Sequence, residues 1–392
     1  MGSSLRARLA AMGSQGGQRA PSGTRGLSRL SWAFPLPPGL ESPNPTALSR
    51  MGFDGGWPGL EQALFLDTET TGLAGGAGTI AFMVGLAYVQ DGRLALEQFT
   101  LGDYGDEPQM MGELARLLNS HSLVVTFNGR TFDLPLLKSR FTMLRMAHLW
   151  REPEQLDLLP PARRLWKKRL GSVRLAVLEE KVLRAGREED LPGSEAPRRF
   201  FDYLKTGNRE LLEPVAQHNR LDVLALPRLL GELLEAYGGP APQREAEDLL
   251  SLGRVLERRG ERGEAARCYH MASLPRPVTC LAGLRQRRAA GEAAFALGLL
   301  YKRLGEYQRA AEVFEGLAAQ GQMGAMPLVE LAKYWEHRAR DYGAALDWTR
   351  RALTRTPDEE ERAALERRAL RLNKKMDREE KSHGISSEDG RP

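Results

Sequence analysis

The segment Leu64-Phe65-Leu66-Asp67-Thr68-Glu69-Thr70-Thr71-Gly72-Leu73 is the most informative part of this chain. An apolar run ends in two acidic residues that flank one threonine, and a Gly-Leu pair follows. Because side chains alternate between the two faces of a β-strand, Asp67 and Glu69 are predicted to point the same way. Their oxygens suit a hard cation such as Mg2+ or Mn2+, which would relieve the repulsion between two close carboxylates. Two solvated acids at a polar strand end would show the same bare D-x-E spacing.

The region 58–236 alternates strand-like and helical patterns. Two apolar runs joined by a Gln90-Asp91-Gly92 turn predict a hairpin, which extends the first strand into a three-stranded meander. The predicted strands lie at 63–66, 80–89, 93–101 and 122–127. The predicted helices lie at 108–118, 132–143, 160–170, 172–183 and 208–236. This order predicts an α/β domain with a mixed β-sheet flanked by helices.

The region 243–372 has a helical pattern throughout and is rich in Ala, Leu, Arg and Glu. Small and aromatic residues recur in it at the offsets of a tetratricopeptide (TPR) repeat, in which small residues let paired helices approach closely. The matching positions are Gly253, Ala265, Tyr269, Ala272 and Pro277, then Gly298, Tyr301, Ala310 and Phe314, then Ala332, Trp335, Ala344 and Trp348. An insertion around 277–286 separates the first two units. Three degenerate units predict a C-terminal, all-α, TPR-like domain.

The two ends of the chain differ in composition from the regions between them. Residues 1–45 are rich in Gly, Ser, Arg and Pro, lack periodicity and predict a disordered basic segment, which could also act as an arm on nucleic acid. The charged residues 376–392 predict a disordered tail. The net charge of +5 permits a polyanionic partner without requiring one.

Composition also narrows the class of protein. A chain of 392 residues with 42% hydrophobic content fits two globular domains with tails. No apolar run reaches the roughly 18 residues needed to span a bilayer, and the N-terminus lacks an apolar signal-peptide core. Cys268 and Cys280 are the only cysteines, too few for a disulfide framework or a thiolate zinc site. We therefore expect a cytoplasmic protein without a membrane partner.

Two further clusters contain acidic residues. Asp133 follows the predicted strand 122–127 and a glycine turn, at the start of a helix, where an acid would also complement the helix dipole. His218 and Asp222 are four positions apart in a helical pattern and are predicted to share one face. Either cluster alone has an ordinary structural explanation, as a first-turn acid or a surface pair.

The three clusters together supply four acids and one histidine. This set fits two-metal hydrolysis of a phosphodiester, in which two divalent ions activate water and stabilise the leaving oxygen. Asp67 is the acid best placed to bridge both ions. Glu69 and Asp222 would complete the coordination shells, and Asp133 would act directly or through bound water. His218 would deprotonate the attacking water.

The same clusters resemble the motifs of a known family. The patterns DxETTGL at 67–73, NGxxFDxPLL at 128–137 and HNxxD at 218–222 resemble the three motifs of the DEDD 3'–5' exonucleases, which have an RNase H-like fold. The resemblance covers about 63–230. It extends to Asp157–Leu159, Ala162–Trp166, Arg174–Glu179 and Tyr203–Gly207. With the helical repeats behind it, the chain resembles the YprB-type predicted exonucleases, bacterial proteins that join such a domain to TPR repeats.

One spacing departs from the family pattern. The histidine subgroup of these exonucleases places its histidine five residues before the last aspartate. Here the spacing between His218 and Asp222 is four, as in the tyrosine subgroup. Since each residue turns a helix by about 100°, the shift moves the ring around the helix. His218 as the general base is therefore a hypothesis.

Several residues near these motifs are candidate substrate contacts. Leu73 and Phe132 resemble apolar wedge positions that pack on a terminal base, although either could be core. Asn128 could hold a terminal nucleotide or cap the turn before Phe132, and Thr71 belongs to the first motif. A basic run around Trp166 could contact phosphates or form a solvated helix face. Its candidates are Arg163, Arg164 and Lys167.

The leading interpretation is a metal-dependent exonuclease acting on a 3' end of single-stranded DNA or RNA. Its TPR domain would recruit a protein partner or extend the nucleic-acid groove, and the concave faces of such stacks favour a protein partner. One alternative is a nucleic-acid-binding TPR scaffold with little catalysis. Another is a structure-selective endonuclease on the same fold.

Overall fold

The computed structural model describes residues 26–40, 42–72, 78–187, 191–241, 244–275 and 281–388. The chain divides between Gly239 and Pro240 into two units, Met1–Gly239 and Pro240–Pro392. No helix among the described residues is both long enough and apolar enough to cross a membrane.

The strands of the first unit form one mixed sheet. They are Ser28–Phe34 (β1), Ala63–Thr70 (β2), Ala81–Gln90 (β3), Arg93–Thr100 (β4), Leu123–Thr126 (β5) and Glu154–Asp157 (β6). Their order is β1-β4-β3-β2-β5-β6. The β2-β3-β4 meander and β1 pair antiparallel, whereas β5 and β6 continue the sheet parallel to β2. The predicted α/β architecture with a mixed sheet is confirmed.

Helices cover both faces of this sheet. They are Pro45–Met51 (α1), Glu107–Ser120 (α2), Asp133–Met143 (α3), Leu159–Leu170 (α4), Leu175–Lys181 (α5), Ala196–Thr206 (α6) and Glu213–Gly238 (α7). On one face, Leu64 and Leu66 of β2 join a core with α2, α3 and α6, in which the Phe82 and Phe200 rings stack at 4.3 Å. Helix α7 packs on the other face. It begins later than the predicted residue 208 because Asn208 caps a separate 3₁₀ turn, Arg209–Leu212.

The prediction of disorder across 1–45 is wrong for its last part. Ser28–Phe34 is an edge strand paired with β4 from Ser28↔Thr100 to Phe34↔Leu94. Its side chains alternate between half-buried and exposed, so the apolar signal is too weak to stand out against the surrounding polar residues. Its hydrogen-bond partners lie more than 50 residues away, and such long-range pairing is not visible in local composition.

A glycine of β3 allows α7 to lie close to the sheet. Gly85 is the register partner of Asp67 on the neighbouring strand. A Cβ atom at Gly85 would lie 2.4 Å from Asn219 Oδ1 and 2.7 Å from Val223 Cγ2, both on α7. Any larger residue would therefore push α7 away from Asp67.

The second unit is helical in its described part. Its helices are Ala246–Arg258 (α8), Arg262–Ser273 (α9), Leu281–Arg303 (α10), Tyr307–Ala319 (α11), Met326–Tyr334 (α12), Tyr342–Leu353 (α13) and Glu359–Glu388 (α14). Gly253 of α8 meets the Tyr269 ring of α9, and Gly298 of α10 meets the Phe314 ring of α11. In both cases a Cβ would lie 2.5 Å from the ring, so these pairs show the small-against-aromatic packing that the repeat pattern predicts.

The prediction of a disordered tail from residue 376 is wrong as far as Glu388. Helix α14 runs without interruption from Glu359 to that residue. Lys, Arg and Glu are good helix formers, and the buried Leu372 anchors the preceding turns. A helix that is already nucleated extends at little cost, which a charge-rich composition does not reveal.

Candidate active site

The topology of the first unit brings the predicted acids to one end of the sheet. Asp67 and Glu69 lie near the end of β2, on the face covered by α7, and Asp222 lies on α7 itself. Strand β5 runs parallel to β2 beside it, so the turn after β5 delivers Asp133, the first residue of α3, to the same end. The carboxylates of Asp222, Asp133 and Glu69 all lie close enough to raise the pKa of Asp67.

Asp67 is held by a buried amide network. Asn219 of α7 donates from Nδ2 to Asp67 Oδ2 at 2.8 Å and to the Asp67 carbonyl at 3.2 Å. Gln98 of β4 in turn donates to Asn219 Oδ1 at 2.8 Å, which orients the amide. Burial raises the pKa of Asp67 well above its ordinary value, and the neighbouring carboxylates raise it further. Its position is therefore determined by three separate elements, β2, α7 and β4.

Glu69 is a buried carboxyl group with an excess of negative charge around it. Burial is the largest cause that raises its pKa, to about 8, and the carboxylates of Asp222 and Asp133 add to the shift. His218 and Arg187 act in the opposite direction because each can present positive charge. Near neutral pH the two acids of β2 thus resist simultaneous ionisation unless further positive charge is supplied.

Asp133 is positioned by the residue between the two acids of β2. The Thr68 hydroxyl donates to Asp133 Oδ1 at 2.5 Å, so the first and second clusters are joined directly. Burial raises the pKa of Asp133 to about 6, although this hydrogen bond lowers it. The turn before Asp133 is held by Asp157 at the end of β6, which accepts from the Asn128 backbone N–H at 2.7 Å.

His218 and Asp222 share one face of α7, as their spacing predicts. His218 Nε2 lies 3.5 Å from Asp222 Oδ2. On its other side, His218 Nδ1 lies 2.9 Å from a terminal nitrogen of Arg187. Because a guanidinium can only donate, Nδ1 must be the acceptor, and the proton of the neutral ring is on Nε2.

Arg187 is a residue of this site that the sequence reasoning missed. It donates to Asp222 Oδ1 and, through Nε and a terminal nitrogen, to both oxygens of Glu179 at 2.6 and 2.9 Å. The Arg187 side chain is only 4% exposed and that of Glu179 only 2%. Arg187 belongs to none of the sequence motifs, because it lies in a loop 35 positions before Asp222.

Two other missed residues had weaker signals. Asn219 stands inside the HNxxD pattern, but the pattern alone does not show that its amide binds Asp67. Thr68 stands inside D-x-E and points to the opposite strand face from its neighbours, so only the position of α3 reveals its bond to Asp133.

The donor set fits a divalent cation in its chemistry. Four carboxylates at the end of one sheet are hard oxygen ligands. Burial raises the pKa of three of them, and the neighbouring site carboxylates raise the pKa of Asp67 and Glu69 further. Within the described ranges, however, no three His, Cys, Asp or Glu side chains are arranged to hold a metal ion. Asp67, Asp133 and Asp222 instead bind Asn219, Thr68 and Arg187 respectively.

The structure places most of the candidate substrate residues near this end of the sheet. Phe132 directly precedes Asp133 and is 51% exposed, so it is not part of the core. Asn128 has φ of 71°, a conformation that Asn tolerates, and its carbonyl rather than its side chain accepts from Thr131 and Phe132. Thr71 pairs with Ile80 through its N–H and its hydroxyl, and Leu73 lies outside the described residues.

The basic candidates lie on α4, which follows Asp157. Arg164 donates to the Met51 carbonyl at the end of α1, and Lys167 donates to the Gly171 carbonyl at the end of its own helix. Both therefore have structural partners. Arg163 is exposed on the same helix.

Comparison with known proteins agrees with this architecture. Residues 64–234 match the model of the RNase_H superfamily, and residues 293–322 match a tetratricopeptide repeat. Fold and matches thus define a protein with a nuclease-type, RNase H-like domain followed by TPR repeats. The chain is 33% identical over 335 residues to "Uncharacterized protein YprB" of Bacillus subtilis (strain 168), covering 79% of this chain and 74% of that protein. The chain belongs to the YprB family, which confirms the resemblance seen in its sequence.

One solved structure is also similar to this chain. The family B DNA polymerase from the hyperthermophilic archaeon Pyrobaculum calidifontis matches with a TM-score of 0.36 and 15% sequence identity. The match covers 63% of this chain and 30% of the polymerase chain.

Proposed function

We propose that this protein is a metal-dependent 3'–5' exonuclease that hydrolyses phosphodiester bonds of single-stranded DNA or RNA. The observation that carries the proposal is the convergence of four carboxylates from β2, α3 and α7. Burial raises the pKa of Asp67, Glu69 and Asp133, and the neighbouring site carboxylates raise those of Asp67 and Glu69 further. Such an arrangement is unfavourable by itself, and it is the environment in which a divalent cation would gain most binding energy.

Asp67, Glu69, Asp133 and Asp222 would hold two Mg2+ or Mn2+ ions. When bound, such ions polarise the scissile phosphate and stabilise the leaving oxygen. Asn219 keeps the Asp67 carboxylate aimed at the site, and Thr68 does the same for Asp133. Because Asn219 is buried and Thr68 is half-buried, both hydrogen bonds orient the carboxylates before any ligand arrives.

His218 would accept the proton of the attacking water. The new phosphorus–oxygen bond forms as the bond from phosphorus to the leaving 3' oxygen breaks, and that oxygen then needs a proton from solvent. Nδ1 is the unprotonated nitrogen of the ring, and it would act as the base once its hydrogen bond from Arg187 is released. Loss of turnover in His218→Ala would support this role, and near-normal turnover would exclude it.

The exposed Phe132 ring would pack on the terminal base. An exposed aromatic ring immediately before a site carboxylate is suited to stacking, which favours single strands without selecting a sequence. Thr71, Leu73, Asn128 and Arg163 would complete the contacts. Arg164 and Lys167 would contribute mainly positive charge, since each already binds a backbone carbonyl.

The TPR unit would recruit a partner. A cavity of about 460 Å³ in this unit is lined by four arginines and one glutamate, Arg254, Arg258, Arg262, Arg303 and Glu257. Arg303 pairs with Glu257, so the lining keeps a net positive charge. The cavity is therefore suited to an acidic group of the partner.

A cleavage assay on end-labelled substrates tests the proposal. The full-length protein is incubated with Mg2+ or Mn2+ and with 3'- or 5'-labelled DNA and RNA oligomers, alongside closed circular single strands. We expect stepwise shortening from the 3' end, no cutting of circles, and no activity in Asp67→Asn. Asp202→Asn, at a half-exposed side chain of α6, serves as a matched control and should retain activity. Absence of metal-dependent cleavage, or equal cleavage by Asp67→Asn, would refute the enzyme, whereas cut circles would indicate an endonuclease.

A further inference from the structure

Arg187 lies inside the acid cluster with almost no exposure to solvent. Its guanidinium has Glu179 on one side and Asp222 with His218 on the other. The Arg187 side chain is 4% exposed and the Asp222 side chain 15% exposed, so this pair is poorly screened by water. The positive charge also lowers the pKa of Glu69, so Arg187 acts on more than its hydrogen-bonded partners.

The position of this charge matters because Asp222 is one of the proposed metal ligands. Asp222 Oδ1 is bound by the Arg187 guanidinium, and Oδ2 faces His218 Nε2. The guanidinium puts a full positive charge against Oδ1, and repulsion between that charge and a divalent cation opposes coordination of the cation by Asp222. This explains why the described acids do not form a ready metal-binding group although they lie close together.

We infer that Arg187 is an internal counter-ion that takes the place of a divalent cation at Asp222, so that the Arg187–Asp222 ion pair and metal binding exclude each other. The inference rests on the proposed metal site. Glu179 would retain the guanidinium after the exchange, because it binds Nε and a terminal nitrogen with both of its oxygens. The acid cluster therefore never loses all of its positive charge.

The exchange also has a consequence for His218. Arg187 donates to Nδ1, the only ring nitrogen that is free of a proton. While this contact lasts, Nδ1 cannot accept a proton from water. Rotation of the guanidinium away from Asp222, with Glu179 still bound, would release both the metal ligand and the base, which couples metal binding to readiness for catalysis.

Metal affinity of the full-length protein tests the inference without an activity assay. Mn2+ binding is measured by isothermal titration calorimetry for the wild type and for the double variant Glu179→Gln/Arg187→Met. The double variant removes both charges together, since Arg187→Met alone would take away the guanidinium that binds both oxygens of the buried Glu179 carboxylate. We expect Mn2+ to bind about tenfold more tightly to the double variant, because no ion pair has to be broken.

We expect two further variants to affect Mn2+ affinity differently from the double variant. In Glu179→Gln the guanidinium loses its second anion and should hold Asp222 more firmly, so Mn2+ affinity should fall. In an Asp222→Asn background, the double variant should no longer change Mn2+ affinity, because the competition takes place at that carboxylate. Thermal unfolding of each variant, followed by circular dichroism, confirms that it is folded.

Equal or weaker Mn2+ binding by a folded double variant would overturn the inference and would leave Arg187 as a structural residue. This result is distinguishable from a failure of the proposed function. A protein that binds no Mn2+ in the wild type, with Asp67→Asn giving the same heat signal, would remove the metal site and with it both proposals.

Discussion

Asn219 Nδ2 donates to Asp67 Oδ2 at 2.8 Å and so joins the long helix α7 to the central strand β2 inside the acid cluster. The amide is fully buried and is itself held by Gln98. A hydrogen bond to a charged group contributes about 1.5–3 kcal/mol in proteins. One contact therefore links the element that carries His218 and Asp222 to the strand that carries Asp67.

Replacement of Asn219 by Ala should impair catalysis more than binding. Without the amide, Asp67 is free to rotate, and misplacement of a catalytic group lowers turnover by about 100-fold. We expect kcat to fall while KM changes little, measured with a labelled single strand. The control is Asn119→Ala, whose amide caps the exposed Leu149 carbonyl and which should leave kcat unchanged. Normal kcat in Asn219→Ala would show that Asp67 does not depend on this bond.

Replacement of Gly85 by Ala should displace α7. The added methyl group would lie 2.4 Å from Asn219 Oδ1 and 2.7 Å from Val223 Cγ2. Overpacking of this kind costs about 1–3 kcal/mol of stability. We expect a lower midpoint in urea unfolding and strongly reduced cleavage.

Gly112→Ala is the matched control for this change. Gly112 lies inside α2, and a Cβ there would meet nothing within 4 Å. Because alanine favours helix over glycine by up to about 1 kcal/mol, this variant should be as stable as the wild type or more stable. A Gly85→Ala protein with unchanged stability and activity would contradict the close approach of α7.

Glu69→Gln should stabilise the metal-free protein in a pH-dependent way. Burial raises the pKa of Glu69 from 4.5 to about 8, so the folded state binds its proton more tightly than the unfolded chain does. Stability from this group is therefore complete below about pH 4.5 and is lost as the pH rises toward 8. Glutamine resembles the protonated acid and does not ionise, so the stability of the variant does not fall in this pH range for that reason.

Thermal unfolding in EDTA between pH 5 and 8 measures the effect. The variant and the wild type should unfold at similar temperatures at pH 5, and the variant should become the more stable of the two as the pH rises. At about 1.4 kcal/mol per pKa unit, the difference amounts to a few kcal/mol by pH 8. The control Asp202→Asn, at a half-exposed side chain, should show no such trend. A constant difference at all pH values would rule out titration of Glu69 as the cause.

Phe132→Ala should weaken substrate binding without destabilising the fold. The ring is 51% exposed, so little apolar contact is lost within the protein. Loss of one base-stacking contact costs about 1–3 kcal/mol, which corresponds to a KM increase of roughly 5- to 150-fold. Met326→Ala, at a side chain 47% exposed in the TPR unit, provides the comparison. If both variants change KM equally, Phe132 does not contact the substrate.

Removal of positive charge from the TPR cavity should weaken capture of an acidic partner. Arg254→Gln and Arg258→Gln together remove two of the four guanidinium groups that line it. We expect lower affinity for a fluorescent polyglutamate peptide, measured by anisotropy, with cleavage unaffected. Arg362→Gln changes an exposed arginine that does not line this cavity and pairs with Glu366, and it should have no effect. If the wild type, the double variant and the control all bind the peptide with equal affinity, the cavity is not the site for an acidic partner.

Local sequence patterns determined the class of fold and the inventory of acids. The alternation of β2 put Asp67 and Glu69 on one face, and the four-residue spacing put His218 and Asp222 on one face of α7, because strand and helix periods follow from backbone geometry alone. The small-against-aromatic pattern of the repeats is local in the same sense. The edge strand Ser28–Phe34 was missed because its stability comes from a partner strand far along the chain.

Tertiary structure alone decided what each acid contacts. Thr68 reaches Asp133 because α3 starts beside β2, and Asn219 reaches Asp67 because Gly85 lets α7 approach. Arg187 enters the cluster from a loop without any sequence signal, since electrostatic attraction acts through space and not along the chain. The sequence thus determined which carboxylates this protein has, whereas the packing of α3, α7 and the Arg187 loop decided how their charges are balanced.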